Sequence, residues 1–271
     1  AFILRDSGAT LAFGETGRHI SLLTKATESN GAALAHGVWR LTGGEQNTLE
    51  ELKKLGAEVP EDEIRQREQI AGPEDHASLV YTSGTVSDPR GAAITHKNLA
   101  QLSVNAVLEL KEIVHAEAST VLLLPLAHIL ARFVQTAAFW AGVKITHVRD
   151  ASRVVPIMKS AQPSFMVLVP RVMLKVLQAV RRSADEKKLG RLFDAAEHNA
   201  VLWGRHLEAL DEGRPSKVSL AVKIKHALFD KLFFSKIRAT LGGRMEFLVS
   251  GAAPLDPRLG LFFRGIGIEV L

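Results

Sequence analysis

The chain has 271 residues, of which 46% are hydrophobic and 23% charged, so its composition is that of a folded protein with a sizeable core. It contains no cysteine, which excludes disulfides, thiolate metal sites and cysteine nucleophiles. The net charge is +5 and is unevenly placed, because residues 214–244 hold eight basic residues and one acidic residue. Such a patch can attract nucleic acid, anionic lipid or an anionic ligand, and composition does not choose among them.

The amino-terminal part gives the weakest structural signals. We predict a strand at Thr10–Phe13 and a helix within Ser21–Ala35. The acidic stretch from Gly44 to Asp75 is typical of a solvated helix and loop, and we assign it no chemistry.

From residue 79 onward, short apolar runs alternate with helical patterns. The runs that predict strands are 79–81, 121–124, 143–148, 165–169 and 245–249, and the helical patterns are 97–110, 129–140, 153–161 and 172–182. Nearly continuous apolar strands that alternate with helices indicate a parallel sheet covered on both faces. The predicted fold class is therefore α/β, with a mostly helical interval at 171–243.

The ends of the chain also carry expectations. No apolar run is long enough for a membrane-spanning helix, and the first residues lack a charged leader followed by an apolar region, so we predict a cytoplasmic protein. The chain starts without Met and stops in the strand-like run Gly267–Leu271. We expect further residues on both sides of this segment.

The segment Tyr81–Gly91 has the composition of a phosphate-binding loop. Its hydroxyls and glycines offer donors and close backbone approach, and Arg90 supplies positive charge. The Walker pattern is absent, and a Ser/Thr/Gly-rich turn by itself is more often only a turn.

The sequences of this loop and of two later segments resemble those of the adenylate-forming enzymes. Leu79–Thr85, with Pro89 and Gly91, is similar to that family's YTSGTTGxPKG pattern, and a TH-x-N segment follows at Thr95. Two further segments match in order, PLAHILAR at 125–132 and SGAAPL at 250–255. Members of the family join a carboxylate to AMP and then, usually, to a thiol, so the resemblance implies ATP, Mg2+ and CoA.

The resemblance also implies the site residues. It assigns the phosphates to Thr82, Ser83, Gly84, Thr85, Arg90 and Gly91, Mg2+ to Thr82, the adenine and acyl pocket to Ser250, Gly251, Ala252, Ala253 and Pro254, and the acyl substrate to His128. A lone histidine is more often structural, but three ordered matches favour a role in the site. The family's catalytic acid and lysine would follow Leu271, so no catalytic residue is assigned within the chain.

Four more segments narrow the resemblance to the long-chain fatty acyl-CoA ligases. They are residues 169–172, 227–238, 241–244 and 262–267. The resemblance implies a long-chain fatty acid as substrate and an incomplete AMP-binding N-terminal domain, with the C-terminal domain absent. Within it we expect a peripheral part at 1–75, a phosphate-loop α/β part at 76–170, a mostly helical insertion at 171–243 and an adenine and acyl-pocket part at 244–271. A truncated gene product is one interpretation, and a separate chain that carries the missing C-terminal half is a further predicted partner.

The loop departs from the family pattern at three positions. Val86 replaces a threonine, Ser87 a glycine and Arg90 a lysine. A lost hydroxyl removes a hydrogen bond to an anion worth about 1.5 to 3 kcal/mol, so we expect weakened ATP binding. A non-catalytic nucleotide- or acyl-binding relative therefore stays an alternative. A nucleic-acid-binding protein is not expected, since no reader motif accompanies the basic patch.

The basic segment Leu220–Arg238 has two interpretations. Its apolar positions among lysines suit docking on a membrane surface, which would make the protein membrane-associated. The pattern also suits a helix packed on its own core with lysines reaching to solvent, which the sequence favours. We further expect His96 beside a helix N-cap, with contact to the nucleotide site as the alternative. Trp39, Trp140 and Trp203 are expected in the core.

Overall fold

The structure, a computed structural model, describes residues 1–30, 34–82, 88–148 and 154–271. The chain divides into two compact units, Ala1–Asn98 and Leu99–Leu271. In the part of the chain so described, no helix is long and apolar enough to cross a membrane.

The first unit contains short elements and two small sheets. Its elements are α1 (Phe2–Asp6), β1 (Ala12–Gly14), α2 (Gly17–Asn30), β2 (Val38–Arg40), α3 (Leu49–Leu55), α4 (Glu61–Glu68), β3 (His76–Tyr81) and β4 (Gly91–Thr95). β1 and β2 form a parallel pair, and β3 and β4 an antiparallel pair. Helix α3 starts at a capping box between Thr48 and Glu51. Neither α3 nor α4 has a buried residue, as expected for the solvated acidic stretch.

The second unit contains a five-stranded parallel sheet. Its elements are α5 (His96–Glu109, which starts at the end of the first unit), β5 (Ser119–Leu122), α6 (Ile129–Ala141), β6 (Lys144–His147), α7 (Val154–Ala161), β7 (Phe165–Leu168), α8 (Pro170–Glu186), α9 (Gly190–Asp211), α10 (Leu220–Phe229), a π-helical turn (Asp230–Phe234), α11 (Ser235–Thr240), β8 (Phe247–Ser250), α12 (Pro257–Gly265) and β9 (Glu269–Val270). The strand order is β6-β5-β7-β8-β9, and all four pairings are parallel.

Both faces of this sheet are covered, as the apolar runs predicted. Successive residues of a strand point to opposite faces. On β7, Met166 and Leu168 belong to the large cluster formed with α8 to α12, whereas Phe165 belongs to a cluster that includes Ala138 of α6. The predicted α/β class with a parallel sheet is confirmed.

Helices α9 and α12 cross with their backbones almost in contact. A Cβ atom on Gly204 would lie 2.1 Å from the carbonyl oxygen of Leu261, and one on Gly265 would lie 1.9 Å from that of Ala200. Only glycine leaves room for such an approach. This contact fixes α12, the helix that follows the Ser250–Pro254 segment.

One predicted strand has a different partner from the one expected. The apolar run 79–81 predicts a strand of the parallel sheet, but β3 pairs antiparallel with β4, a strand that the sequence does not predict. The physical reason is the short connection, because parallel strands need a crossover of about a dozen residues or more. The Thr82 N–H donates to the Arg90 carbonyl at 3.0 Å and continues the ladder toward the loop.

Two expectations about buried residues were wrong. Trp140 lies on the surface, with 64% of the residue exposed, and not in the core. In the basic segment Leu220–Arg238, the predicted apolar row was Leu220, Ile224, Leu228, Leu232 and Phe233. Of these five residues only Phe233 is buried, and the other four are exposed. The helix buries Phe229 instead, so its packed face is not the one predicted.

Candidate functional site

The strand order of the sheet in the second unit reverses at β5. From β5 the chain passes through α6 to β6 on one side and returns through α7 to β7 on the other side. Ligands of open α/β sheets bind at the carboxyl ends of strands at such a switch point. The ladder between β5 and β7 is limited to Thr120 opposite Phe165, so beyond this pair the two strands share no further ladder toward their carboxyl ends.

His128 lies on the β5 side of this switch point. It follows β5 and is the N-cap residue of α6, in an extended conformation with φ of −98°. Its side chain makes no cap hydrogen bond, and its ring nitrogens have no hydrogen-bond partner among the residues that the structure describes. The imidazole is exposed and free to contact a ligand.

The segment Ser250–Pro254 lies on the β8 side. The Gly251 N–H donates to the carbonyl oxygen of Leu168 at 3.2 Å, which holds the segment at the end of β7. A Cβ atom on Gly251 would lie 3.6 Å from Leu130 Cδ2, two residues after His128 in α6. The fold thus brings the two sequence-predicted segments of this unit together at the carboxyl edge of the sheet.

Ser250 and Ala252 both have features that the fold does not explain. The Ser250 hydroxyl oxygen is buried and has no hydrogen-bond partner in the described part of the chain. Ala252 has a φ of 65°, in the left-handed region that residues with a Cβ rarely occupy. Buried polar groups without partners and strained backbone concentrate at functional sites. Ala253 and Pro254 are exposed beside them.

Arg132 is a site candidate that sequence reasoning missed. It lies on α6, one turn after His128, and its Nε is buried without a partner among the described residues. The sequence feature that could have identified Arg132 is its place as the last residue of the PLAHILAR segment. A guanidinium group offers N–H donors to an anionic ligand.

The predicted phosphate loop belongs to the first unit. Ser83, Gly84 and Thr85, with the departures Val86 and Ser87, lie outside the described residues. At its ends, the Arg90 N–H donates to the Thr82 hydroxyl oxygen at 3.2 Å. The side chains of Thr82 and Arg90 are exposed, so the hairpin presents a hydroxyl and a guanidinium group at the two ends of the loop.

Position 91 must be a glycine because the Tyr81 ring lies against it across the hairpin. A Cβ atom on Gly91 would lie 2.9 Å from Cζ of the Tyr81 ring. The Tyr81 hydroxyl donates to Asp6 Oδ2 at 2.7 Å, which holds the ring in place and raises the pKa of Tyr81. The ring therefore lies across Gly91 and leaves no room for a side chain there.

Thr95 and Asn98 form a reciprocal helix cap. The Asn98 N–H donates to the Thr95 hydroxyl oxygen at 3.1 Å, and the Thr95 N–H donates to Asn98 Oδ1 at 3.0 Å. These bonds satisfy donors at the start of α5. His96, between them, is exposed, and its backbone N–H donates to the Asp75 carbonyl oxygen. The expected position beside an N-cap is therefore correct.

Around Thr82, the described residues could supply only a small part of the oxygen ligands of a magnesium ion. Among residues 1–30, 34–82, 88–148 and 154–271, no group of three His, Asp or Glu side chains could hold a metal ion. Thr82 offers one exposed hydroxyl oxygen. Mg2+ usually keeps several waters and binds substrate phosphates with one or two protein oxygens, so a single hydroxyl is compatible with a nucleotide-bound ion.

A parallel sheet whose strand order reverses at β5, with buried polar atoms of Arg132 and Ser250 that have no partner among the described residues, is typical of α/β domains that bind a ligand at the carboxyl edge of the sheet. The model of the AMP-binding enzyme family matches residues 1–271, and the chain belongs to that family.

The similar curated proteins are ligases. Long-chain-fatty-acid–CoA ligase FadD15 of Mycobacterium tuberculosis is 35% identical over 269 residues, which cover 99% of this chain and 44% of that protein. Long-chain-fatty-acid–CoA ligase 5 of Rattus norvegicus is 32% identical over 228 residues, or 82% of this chain and 31% of that protein. The chain thus spans less than half the length of these relatives.

Similar solved structures support the fold. A long-chain-fatty-acid-CoA ligase (FadD1) from Archaeoglobus fulgidus superposes with a TM-score of 0.60 at 17% identity, covering 98% of this chain and 40% of that chain. The inhibitor-bound N-terminal domain of FACL13 from Mycobacterium tuberculosis gives a TM-score of 0.57 at 17% identity, covering 99% of this chain and 51% of that chain. The expected fold, that of the N-terminal part of adenylate-forming enzymes, is confirmed.

Proposed function

We propose that this chain supplies the phosphate, adenine and acyl-binding parts of a long-chain fatty acid–CoA ligase. The observation that carries the proposal is the carboxyl edge of the parallel sheet, where Gly251 lies beside the α6 segment of His128 and the Ser250 hydroxyl has no partner in the described residues. The substrates are ATP, a long-chain fatty acid and CoA, with Mg2+ bound to the nucleotide. Support comes from the family of the chain and from the names of its relatives.

Each predicted site residue has a proposed role. The loop 82–91 binds the phosphates through backbone N–H groups, hydroxyls and Arg90, which neutralises charge. The Thr82 hydroxyl contributes an oxygen to the metal shell. The small residues of Ser250–Pro254 let a flat base and an acyl group lie against the backbone, and His128 contacts the acyl substrate.

The chemistry proceeds in two transfers. The fatty acid carboxylate oxygen attacks the α-phosphorus of ATP in line with the bond to pyrophosphate, which breaks as the acyl-adenylate forms. The CoA thiol then loses its proton and attacks the acyl carbon, and AMP leaves with the bonding electron pair. In the first transfer, the groups on this chain hold the nucleotide and offset charge on the transferring phosphoryl group.

The parts of the chain divide this work. We assign the phosphate site to residues 76–170, the adenine and acyl pocket to 244–271, and peripheral and insertion roles to 1–75 and 171–243. The 271 residues span 44% of the FadD15 relative, so the complete reaction is proposed for the protein or assembly in which they work. We expect the isolated chain to bind ATP without robust acyl-CoA formation, and a separate chain with the remaining half stays a proposed partner.

ATP binding to the purified chain tests the proposal. Calorimetric titration with MgATP should show binding, and Arg90→Gln should weaken it about 10- to 150-fold, because a charge-assisted hydrogen bond to a phosphate is worth about 1.5 to 3 kcal/mol. Arg65→Gln is the matched control, since Arg65 is also exposed, lies on α4 and pairs only with Glu61 among the described residues. No ATP binding, or equal binding by both variants, contradicts the assigned phosphate site.

A second set of measurements distinguishes a fatty acid–CoA ligase from a non-catalytic nucleotide- or acyl-binding relative. Replacement of Gly251 with Phe places a large side chain beside Leu130, so it should weaken binding of a fluorescent long-chain fatty acid. Gly251→Ala, whose Cβ would have an ordinary 3.6 Å contact, should bind the fatty acid nearly normally. Pyrophosphate release on addition of fatty acid supports a catalytic protein. ATP binding with no acyl-adenylate, even in the longest available form of the protein, would instead identify a non-catalytic relative.

A further inference from the structure

Helix α10 and the π-helical turn after it carry an exposed row of apolar side chains. Leu220, Ile224 and Leu228 are 72%, 61% and 53% exposed, and Leu232 continues the row at 38%. We refer to these four residues as the leucine row. Large apolar side chains on a surface are common singly, but a contiguous row marks a site of interaction.

The opposite side of the same helix is fixed to the core, so the row cannot turn inward. Phe229 and Phe234 are buried in the main cluster. Asn199 on α9 donates to the Val222 carbonyl oxygen at 3.2 Å, and His226 stacks on Trp203 with ring centroids 4.6 Å apart. The leucine row therefore points away from a well-packed face.

The π-helical turn keeps Leu232 on the same side of the helix as Leu228. A step of four residues advances about 40° too far around an α-helix, so a row with this spacing drifts sideways. The turn at Asp230–Phe234 is wider than an α-helical turn and reduces this drift between Leu228 and Leu232. The four side chains then share one side over about 20 Å of helix.

The charges around the row are positive and uncompensated. Lys223, Lys225, Lys231 and Lys236 are exposed, and none of them forms an ion pair with an acidic residue that the structure describes. Asp230 is the only acidic residue in the segment Leu220–Arg238. Its carboxylate accepts hydrogen bonds of 2.7 and 3.1 Å from the Arg238 guanidinium group, so it does not neutralise the lysines. The surface beside the leucine row thus favours an anionic partner.

We propose that this surface docks the protein on a membrane that contains anionic lipid. Apolar side chains enter the boundary between headgroups and acyl chains, while the flanking lysines contact lipid phosphates. Nucleic acid would satisfy the lysines but not the leucine row, and a neutral apolar partner would satisfy the row but not the lysines. The docking is independent of the proposed ligase activity, since it uses no residue of the nucleotide or acyl site.

Co-sedimentation with vesicles tests the proposal. The purified chain is expected to bind vesicles of equal parts phosphatidylglycerol and phosphatidylcholine, to bind pure phosphatidylcholine at least tenfold more weakly, and to lose binding as NaCl rises from 0.1 to 0.5 M. Ile224→Gln/Leu228→Gln should lower the partition coefficient about tenfold or more. Lys223→Gln/Lys225→Gln should have a similar effect without touching the apolar residues.

The matched control is Leu108→Gln, an equally exposed leucine, at 67%, on the helix α5. It should bind vesicles as the unaltered chain does, and circular dichroism with thermal melting checks that every variant is folded. Equal binding to both lipid mixtures, no binding to either, or unchanged binding by both double variants would overturn the proposal. Self-association that the Ile224→Gln/Leu228→Gln variant abolishes, without vesicle binding by the unaltered chain, would instead assign the surface to a second copy.

Discussion

The crossing of α9 and α12 gives a sharp test of the fold around the proposed acyl site. Gly204→Ala adds one methyl group that would lie 2.1 Å from the carbonyl oxygen of Leu261 and 2.9 Å from its carbonyl carbon. A carbon and a carbonyl oxygen normally come no closer than about 3.3 Å. Because the obstacle is backbone, the two helices must separate by roughly 1 Å.

The expected loss of stability follows from two opposing effects. Overpacking a well-filled interior costs about 1 to 3 kcal/mol, and an obstacle made of backbone places this variant at or above the upper end. Alanine is the better helix former by about 1 kcal/mol, which offsets part of the loss. We expect a net loss of about 2 kcal/mol, which lowers the melting temperature by about 4 to 8 °C for a unit of this size.

Gly190→Ala is the matched control on the same helix. A Cβ atom there would lie 2.0 Å from Asp185 Oδ1, which is the end of a movable side chain, so the carboxylate can swing aside. Thermal melts followed by circular dichroism should place this variant within about 2 °C of the unaltered chain. If Gly204→Ala melts as high as the control, the helices do not cross as closely as the structure places them, and the reasoning fails.

Three further predictions concern single contacts. Asn98→Ala removes the acceptor for the Thr95 N–H and should lower the free energy of unfolding by about 0.5 to 2 kcal/mol in urea titrations. Asp230→Ala leaves Arg238 without its carboxylate and should lower the free energy of unfolding by about 1 to 3 kcal/mol. In a chain that already carries Arg238→Ala, the same substitution should cost clearly less, because the partner of Asp230 is gone, and an equal cost in both backgrounds contradicts the pairing. Burial lowers the pKa of His226, so the unfolded chain binds its proton more readily; stability should fall as pH drops below about 6.5 and should fall less in His226→Gln, as urea midpoints at pH 7.5 and 5.5 will report.

Local signals predicted most of the second unit well. The helical pattern 129–140 matches α6, which ends at Ala141 because Gly142 adopts the left-handed conformation with φ of 73°. The run 165–169 matches β7, since a strand buried on both faces is apolar at every position. The local composition and periodicity of these two segments are enough to predict them, so their packing partners did not have to be known.

Pairing and exposure depended on distant parts of the chain and were harder to predict. β4 begins Gly91-Ala92-Ala93, which has little strand preference, and it forms a strand only because the hairpin brings it beside β3. The apolar spacing of α10 predicts an amphipathic helix but not which of two apolar rows is buried. The aromatic side chain of Phe229 packs into the main cluster, and the leucine row is left outside.

The structure separates two kinds of residue within the family's motifs. Gly91 and Gly265 are needed for close packing, and Thr95 and Asn98 cap a helix, so the fold accounts for them without any ligand. His128 and the Ser250 hydroxyl have no partner among the described residues, and they lie in segments joined at the carboxyl edge of one sheet. Residues that the fold does not need, gathered at the edge where α/β proteins bind ligands, are the ones most directly assigned to substrate. Substitution at His128 should therefore change substrate binding with little effect on stability, whereas substitution at Gly265 should do the reverse.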